Sequence, residues 1–392
     1  MQAKHVVVGL SGGVDSSVAA HLLKEQGYEV TGLFMKNWED QQGVLTSSCT
    51  WEDDLMFAEM AAKKLNIPLH FVDFSKEYRQ RVVDYMFREY KKGRTPNPDV
   101  LCNREVKFDL FAREAEKLGA DYIATGHYCK KKESIQAGRK VYSLIAGDDD
   151  NKEQSYFLCQ ISQSQLSKAL FPLGDLHKPE VREIATQLGL ATATRKDSQG
   201  ICFIGKVDLP EFLQQKLSVK KGKIVKIDKH QIHALNGNAV PPPEGQCRAY
   251  DLREIEGQTV GEHNGAHFFT VGQRKGLNVG GTKEPLYVLA VDTDRNIVYT
   301  GEGNDHPGLF RKGLFIFRED VHWIREDMKL EPGQEKDMDF RIRYRQPLQR
   351  GRMIMKEEGA YIVFDNPQRG ITPGQFAAWY ENSELLGSGV IE

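Results

Sequence analysis

The stretch that most restricts how this chain can fold lies near its start: Val6-Val7-Val8-Gly9-Leu10-Ser11-Gly12-Gly13-Val14-Asp15-Ser16-Ser17. A β-branched apolar run feeds a Gly-Gly turn, and apolar residues at helical spacing (Val18, Ala19, Leu22, Leu23) follow at once. That order predicts a buried parallel strand, a tight turn and the N-terminus of a helix. The glycines let a ligand approach the backbone closely, and free amides with the helix dipole attract phosphate. An ordinary strand-to-helix turn would leave Ser11, Ser16, Ser17 and Asp15 unexplained. The lysine of a Walker loop is absent, and so is the Gly-x-Gly-x-x-Gly spacing of a Rossmann turn.

Strand and helix patterns then alternate through the first half. Segments 28–35, 69–74 and 122–125 read as strands, and segments 53–65, 77–92 and a stretch ending at Leu118 as helices. The rhythm predicts an α/β fold with a doubly wound parallel sheet, in which ligands bind beyond the carboxyl ends of the strands. Met35, ending the second strand, and Gly126-His127, following a later one, are expected to face the same crevice as the loop. From about Lys206 glycine, proline and short β-like runs take over, and 236–245 reads as an exposed loop. Alternating runs beyond about Thr282 predict a small antiparallel β-barrel. The expected domains are 1–205 (nucleotide-binding and catalytic), 206–282 (a small central β-rich unit) and 283–392 (the closing barrel).

At 392 residues the chain exceeds one usual core, and its net charge of −2 restricts any RNA-binding surface to a local patch. The Val6–Leu10 run is too short for a signal peptide or a membrane span, which predicts a cytoplasmic protein with no membrane partner. Six cysteines, at 49, 102, 129, 159, 202 and 247, form no CxxC pair. That spacing argues against a zinc ribbon and a dense structural disulfide framework, and no metal-ligand set is assigned from it, with an iron–sulfur cluster left open.

Two cysteines have distinctive neighbours. In Asn97-Pro98-Asp99-Val100-Leu101-Cys102-Asn103 the prolines stiffen a loop, and Cys102 falls near a helix start, where the dipole can lower a thiol pKa. Asp99 stands close enough to accept a proton, although a buried cysteine beside a capping aspartate fits the stretch equally well. In Lys196-Asp197-Ser198-Gln199-Gly200-Ile201-Cys202-Phe203-Ile204-Gly205, polar residues precede the cysteine and apolar ones follow it. Taken alone, that pattern favours a core strand over a mobile loop. Arg341, Arg343, Arg345, Arg350 and Arg352 surround Tyr344, and strand alternation would put the first three on one side. Gln273-Arg274-Lys275 is a second basic patch.

SGGVDS resembles the PP-loop of the ATP pyrophosphatases. It is followed, in order, by NPDVLCN, TGHY (125–128), EQSYFL (153–158), DSQGICFIG, TVGQRKGL (270–277), RYRQ (343–346) and TPGQ (372–375). The ordered set spans nearly the whole chain and resembles the bacterial tRNA-specific 2-thiouridylase family. That resemblance implies an adenine-nucleotide-hydrolase-like first domain and ATP-dependent adenylylation of C2 of the wobble uridine, position 34. Sulfur from a protein persulfide then replaces the oxygen, giving 2-thiouridine, AMP and pyrophosphate.

Carried onto this chain, the resemblance implies that Gly9, Leu10, Ser11, Gly12, Gly13, Val14, Asp15 and Ser16 hold ATP, with Met35 and Gly126 on the adenosine side. Asn97, Pro98 and Asp99 would contact the target base. Cys102 would be the nucleophile and Cys202 the persulfide carrier, the two passing through a transient disulfide, with either sulfide or the persulfide attacking C2. His127, Lys152, Glu153, Gln154, Arg343, Tyr344 and Gln375 would meet tRNA. Mg²⁺ is expected with the nucleotide, and no tightly bound prosthetic group. Expected partners are tRNAs for Lys, Glu and Gln, and a sulfur donor such as a cysteine desulfurase or a relay carrier. The chain departs from the family at Glu153, where aspartate is usual, at Phe269, where tyrosine is, and in a longer 228–257 stretch. The competing readings are an amidating synthetase of the same superfamily and a nucleotide-binding RNA adaptor without turnover.

Overall fold

The computed structural model describes residues 3–39, 51–197, 200–236 and 243–392, with side chains left aside at 233–236. Cys49, Ser198, Gln199 and the Pro241-Pro242 pair lie outside the described residues.

Strands β1 (His5–Gly9), β2 (Glu29–Lys36), β3 (Leu69–Asp73) and β4 (Tyr122–Ala124) pair in parallel in the order β3-β2-β1-β4. Alternate residues of these strands feed two separate cores. Val7, Leu33, Met35 and Ile123 face the helical segments 75–91 and 98–117. Val6, Val8, Phe34 and Ala124 face α1 (Val14–Glu25), α2 (Trp51–Leu65) and helix Lys178–Gln187. Burial on both faces is why β1 and β2 read as continuous apolar runs, whereas β3 at the sheet edge is largely exposed, and helices on the two faces give the doubly wound arrangement that the alternating pattern predicts. The segment 98–117 opens with Pro98 at its first position and the Asn97 side chain accepting from the Val100 amide at 3.2 Å. It then widens into a π-helical turn at Asn103–Leu110, which the sequence pattern did not signal.

A hairpin was also missed. Strands β5 (Cys129–Gln136) and β6 (Arg139–Ala146) turn through Ala137 and Gly138, both at positive φ. β6 leaves the first domain and pairs with strand Glu384–Val390, placing Leu144 opposite Leu385. A short strand β7 (Ala169–Leu170) completes the parallel sheet beside β4.

The expected boundary near residue 283 moves. Strands Leu286–Asp292 and Ile297–Glu302, read from the sequence as the start of the closing barrel, pair instead with Gly222–Lys226 and Gln258–His263 in one four-stranded sheet. The remaining strands, from Phe310–Phe317 onward, form a curled antiparallel sheet around Phe340, Phe364, Trp379 and Leu386. Among the described residues no helix is long and apolar enough to cross a membrane.

Candidate active site

β1 runs directly into the glycine turn, and the serines close it. The Ser16 hydroxyl accepts from the Ser11 amide at 3.2 Å, while Ser16 and Ser17 both donate to the Gly13 carbonyl, at 3.2 and 2.9 Å. No side chain caps α1, so its first amides remain for an anion. Gly12 has φ +73°, and an added Cβ would meet the Asp54 carbonyl at 2.2 Å. Gly126 lies against the other side of the turn, where a Cβ would fall 2.9 Å from the backbone of Asp15 and Ser16. Leu10, Val14 and Met35 are buried, and the Leu10 amide already donates to the Leu33 carbonyl at 3.0 Å. Asp15 is locked: Lys178 Nζ meets both its oxygens at 2.6 and 2.8 Å, and the Tyr128 hydroxyl donates to it at 2.8 Å. Arg195 binds Asp54 and donates to the Gly12 carbonyl at 2.7 Å. Lys178 and Arg195 carry no motif signal; only the tertiary fold brings them to the loop.

The two distinctive cysteines meet each other. Cys102, fully buried, and Cys202, partly exposed, are free thiols close enough for each to shift the other's titration. Cys202 occupies a tight turn bridged between Ile201 and Gly205, with Gly200, Phe203 and Gly205 at positive φ. It is not the core strand that local sequence favoured. The turn is held by the Cys202 amide donating to Asp99 Oδ1 at 2.9 Å and by the Tyr78 hydroxyl donating to the Cys202 carbonyl at 2.6 Å. The expected lowering of the Cys102 thiol by its helix is reversed. Burial pushes Cys102 well above an ordinary thiol, whereas the hydrogen bond from Cys102 and the nearby Lys107 ammonium bring Cys202 down. Burial also raises the Asp99 carboxyl.

The 95–99 loop is gripped from three directions. Gln375 Nε2 donates to the carbonyls of Thr95 and Pro96 at 2.8 and 3.1 Å, and Asn97 Nδ2 donates to Gln375 Oε1 at 3.4 Å. Thr95 meets Thr270 at 3.0 Å, hydroxyl to hydroxyl. Asn103 donates to the carbonyls of Asp99 and Phe157. NPDVLCN, EQSYFL, TVGQRKGL and TPGQ, far apart in sequence, are thus neighbours in space.

The residues expected at an RNA surface divide. Lys152 is partly exposed and holds Asp197 at 2.5 Å, and Gln154 accepts from the Tyr128 amide. Arg343 is exposed, donating to the Arg369 and Gly370 carbonyls, and Tyr344 lies against Phe157 with ring centroids 4.3 Å apart. Glu153 corrects the expectation. Its carboxylate is buried, bound to Arg341 at 2.5 Å and accepting from the Ser155 amide, because the segment turns inward under the C-terminal sheet. His127 is likewise buried, beside Phe108 and Phe171 and 2.7 Å from Thr125 Oγ1. Burial and the Lys107 charge hold it well below the usual histidine range, so it is neutral at physiological pH. Arg341 ends strand Glu335–Arg341 and Arg343 follows in a turn, so the three arginines share no strand face.

Family models match along the chain: the tRNA methyl transferase HUP domain at 4–206, the tRNA methyl transferase PRC-barrel domain at 245–302, and the aminomethyltransferase beta-barrel domain at 315–391. The tRNA-specific 2-thiouridylase MnmA of Flavobacterium johnsoniae is 59% identical over 99% of this chain and 100% of its own length. That of Shouchella clausii is 46% identical over 99% and 96%. A 4-thiouridine synthetase solved with RNA and bound ATP aligns over 54% of this chain and 50% of its own, at 18% identity and a TM-score of 0.33. With identity this high over whole chains, the protein belongs to the tRNA-specific 2-thiouridylase family.

Proposed function

We propose that this chain is a tRNA-uridine 2-sulfurtransferase that uses ATP to activate C2 of the wobble uridine and replaces its oxygen with sulfur. The observation that carries the reading is the meeting of Cys102, Cys202 and Asp99 in a chain that also carries a phosphate-type loop. A uracil carbonyl oxygen leaves poorly, so it first attacks the α-phosphorus of ATP and pyrophosphate departs. The amides of Gly12 and of Val14 to Ser16, at the α1 N-terminus, stabilise that developing charge. Asp15 and Asp54 are already engaged by Lys178 and Arg195, so Mg²⁺ would enter on the nucleotide phosphates rather than in a carboxylate cage of this chain.

Sulfur arrives as a persulfide on Cys202, the more exposed and more acidic of the two thiols. A Cys102 thiolate attacks the inner sulfur, the S–S bond to the outer sulfur breaks, and hydrosulfide leaves as a Cys102–Cys202 disulfide forms. Hydrosulfide adds to C2 and AMP departs; an external thiol reductant then restores both cysteines. The adjacency of the two sulfurs supports this order. Asp99, raised by burial, is suited to exchange the proton of the reacting thiol. Asn97 and Pro98 flank the base, which must leave the anticodon stack to reach them. Lys152, Arg343 and Tyr344 offer outward contacts to RNA, while Gln375 and Glu153 act by bracing the loop and the sheet behind it.

Acceptors for Lys, Glu and Gln, and a cysteine desulfurase or relay carrier as donor, complete the reading, in the cytoplasm where such tRNAs are modified. An amidating synthetase would not need either thiol, and an RNA adaptor would bind ATP without releasing pyrophosphate. Cys102→Ala and Cys202→Ala separate these alternatives. Each should abolish sulfur incorporation while ATP binding persists; retained thiolation in either variant would sink the two-thiol chemistry.

A further inference from the structure

The π-helical turn Asn103–Leu110 brings Lys107 to the cysteine pair. Had the segment continued as an α-helix, Lys107, five residues after Cys102, would have been swung about 140° around the axis from it. The extra residue per turn restores both to one side. The Lys107 ammonium lies 5.6 Å from the centre of the Phe203 ring, next to Cys202 in the tight turn. It makes no carboxylate ion pair within 4.0 Å among the described residues. The other charges of the turn are spoken for: Glu105 and Asp109 by Arg81, and Arg104 by Glu105 and Gln160. A half-buried cation without an ion-paired carboxylate is favoured when an anion forms beside it.

We propose that Lys107 is a positioning residue for sulfur delivery, supplying the counter-charge that holds the Cys202 sulfur, and then its persulfide, as an anion within the turn. The groups facing this sulfur are few. Cys102 and Asp99 come from Pro98–Cys102, Tyr78 from Ser75–Tyr78, and Lys107 from the π-helical turn, with neutral His127 behind Lys107. Lys107 is therefore the cation of the set, opposed by Asp99 and assisted by the hydrogen bond from Cys102. In loading, the Cys202 thiolate attacks the outer sulfur of a donor persulfide. The new S–S bond forms as the old one breaks, and the donor leaves as its own thiolate. The ammonium lowers the cost of the attacking charge and then faces the acidic persulfide that results.

The role rests on reading Cys202 as the sulfur carrier, but its test does not. Iodoacetamide alkylation of Cys202, followed by peptide mass spectrometry as a function of pH, reads the thiolate directly, without tRNA, ATP or turnover. In the intact enzyme the inflection should lie below that of an ordinary cysteine, about 8.5. Lys107→Met and Lys107→Gln should slow alkylation at neutral pH on the order of tenfold and move the inflection up, and Lys107→Arg should keep the wild-type profile. A wild-type inflection at or above the ordinary value overturns the proposal whatever the variants do, as does a Lys107→Met profile superimposable on wild type. If the profile shifts as expected but Cys202→Ala still thiolates tRNA, the sulfur-carrier reading fails while the counter-charge stands.

Discussion

A single added methyl group tests how closely the nucleotide turn is fitted. A Cβ on Gly126 would sit 2.9 Å from the backbone of Asp15 and Ser16, closer than van der Waals contact permits. Gly126→Ala should weaken ATP binding by about tenfold or more, measured by titration calorimetry on a protein that unfolds normally; unchanged affinity would mean that the turn yields. The Glu153–Arg341 pair makes a different point. Glu153 is 5% exposed and Arg341 15%, so Arg341→Met leaves a buried, uncompensated carboxylate. The expected loss of about 3–5 kcal/mol is read by urea unfolding, with partial recovery in Glu153→Gln/Arg341→Met. Unchanged stability with weakened tRNA binding would return the pair to the RNA surface. Glu153, His127 and Cys102 show where residue-level reading stops. Their positions follow from motif order, but whether a side chain faces solvent or core depends on partners such as Arg341, Phe171 and Tyr78, which lie up to 188 positions away.

At the scale of elements, the turn carrying Cys202 is tethered to the nucleotide loop through one residue. Asp197 binds Lys152 at 2.5 Å, Lys178 at 2.8 Å and Arg182 at 2.9 Å, and Lys178 also holds Asp15. Burial would raise the Asp197 carboxyl, but Lys152 and Lys178 outweigh it and take it down to about 2. The tether is therefore complete above the unfolded aspartate value of about 3.9 and is lost as pH falls from there toward 2. Hydrogen exchange of residues 200–206, taken relative to the intrinsic amide rate at each pH, should quicken across that window. At neutral pH Asp197→Asn should quicken it too; exchange as slow as in wild type would show that the tether does not restrain the turn. The central strands of the parallel sheet were legible because burial on both faces leaves long apolar runs. The β5–β6 hairpin was not, since charged Lys130 to Glu133 mask its alternation, and a π-helical turn has no compositional signature.

Across the whole molecule, the first and last segments share one core. Phe376, Tyr380 and Leu385 join the cluster that contains Cys102, Leu144 and Tyr156. The Tyr156 hydroxyl donates to the Phe376 carbonyl at 3.0 Å, and the Ser388 hydroxyl to the Cys159 carbonyl at 2.7 Å. A chain truncated at 206 should therefore lose cooperative unfolding by calorimetry; a sharp transition would make the first domain autonomous. The boundary near 283 was misjudged for a related reason, because strand pairing across sixty or more residues leaves no mark in local alternation. What connects these scales is one chain that carries both a cysteine pair and a nucleotide loop, and the most direct measurement is single-turnover thiolation of an unmodified wobble-uridine tRNA with ATP and a persulfide source. Wild type, Cys102→Ala and Cys202→Ala are compared, scoring pyrophosphate and 2-thiouridine separately. The account predicts both products from wild type, and no 2-thiouridine from either variant while ATP still binds. Pyrophosphate without sulfur in the wild-type RNA would contradict it.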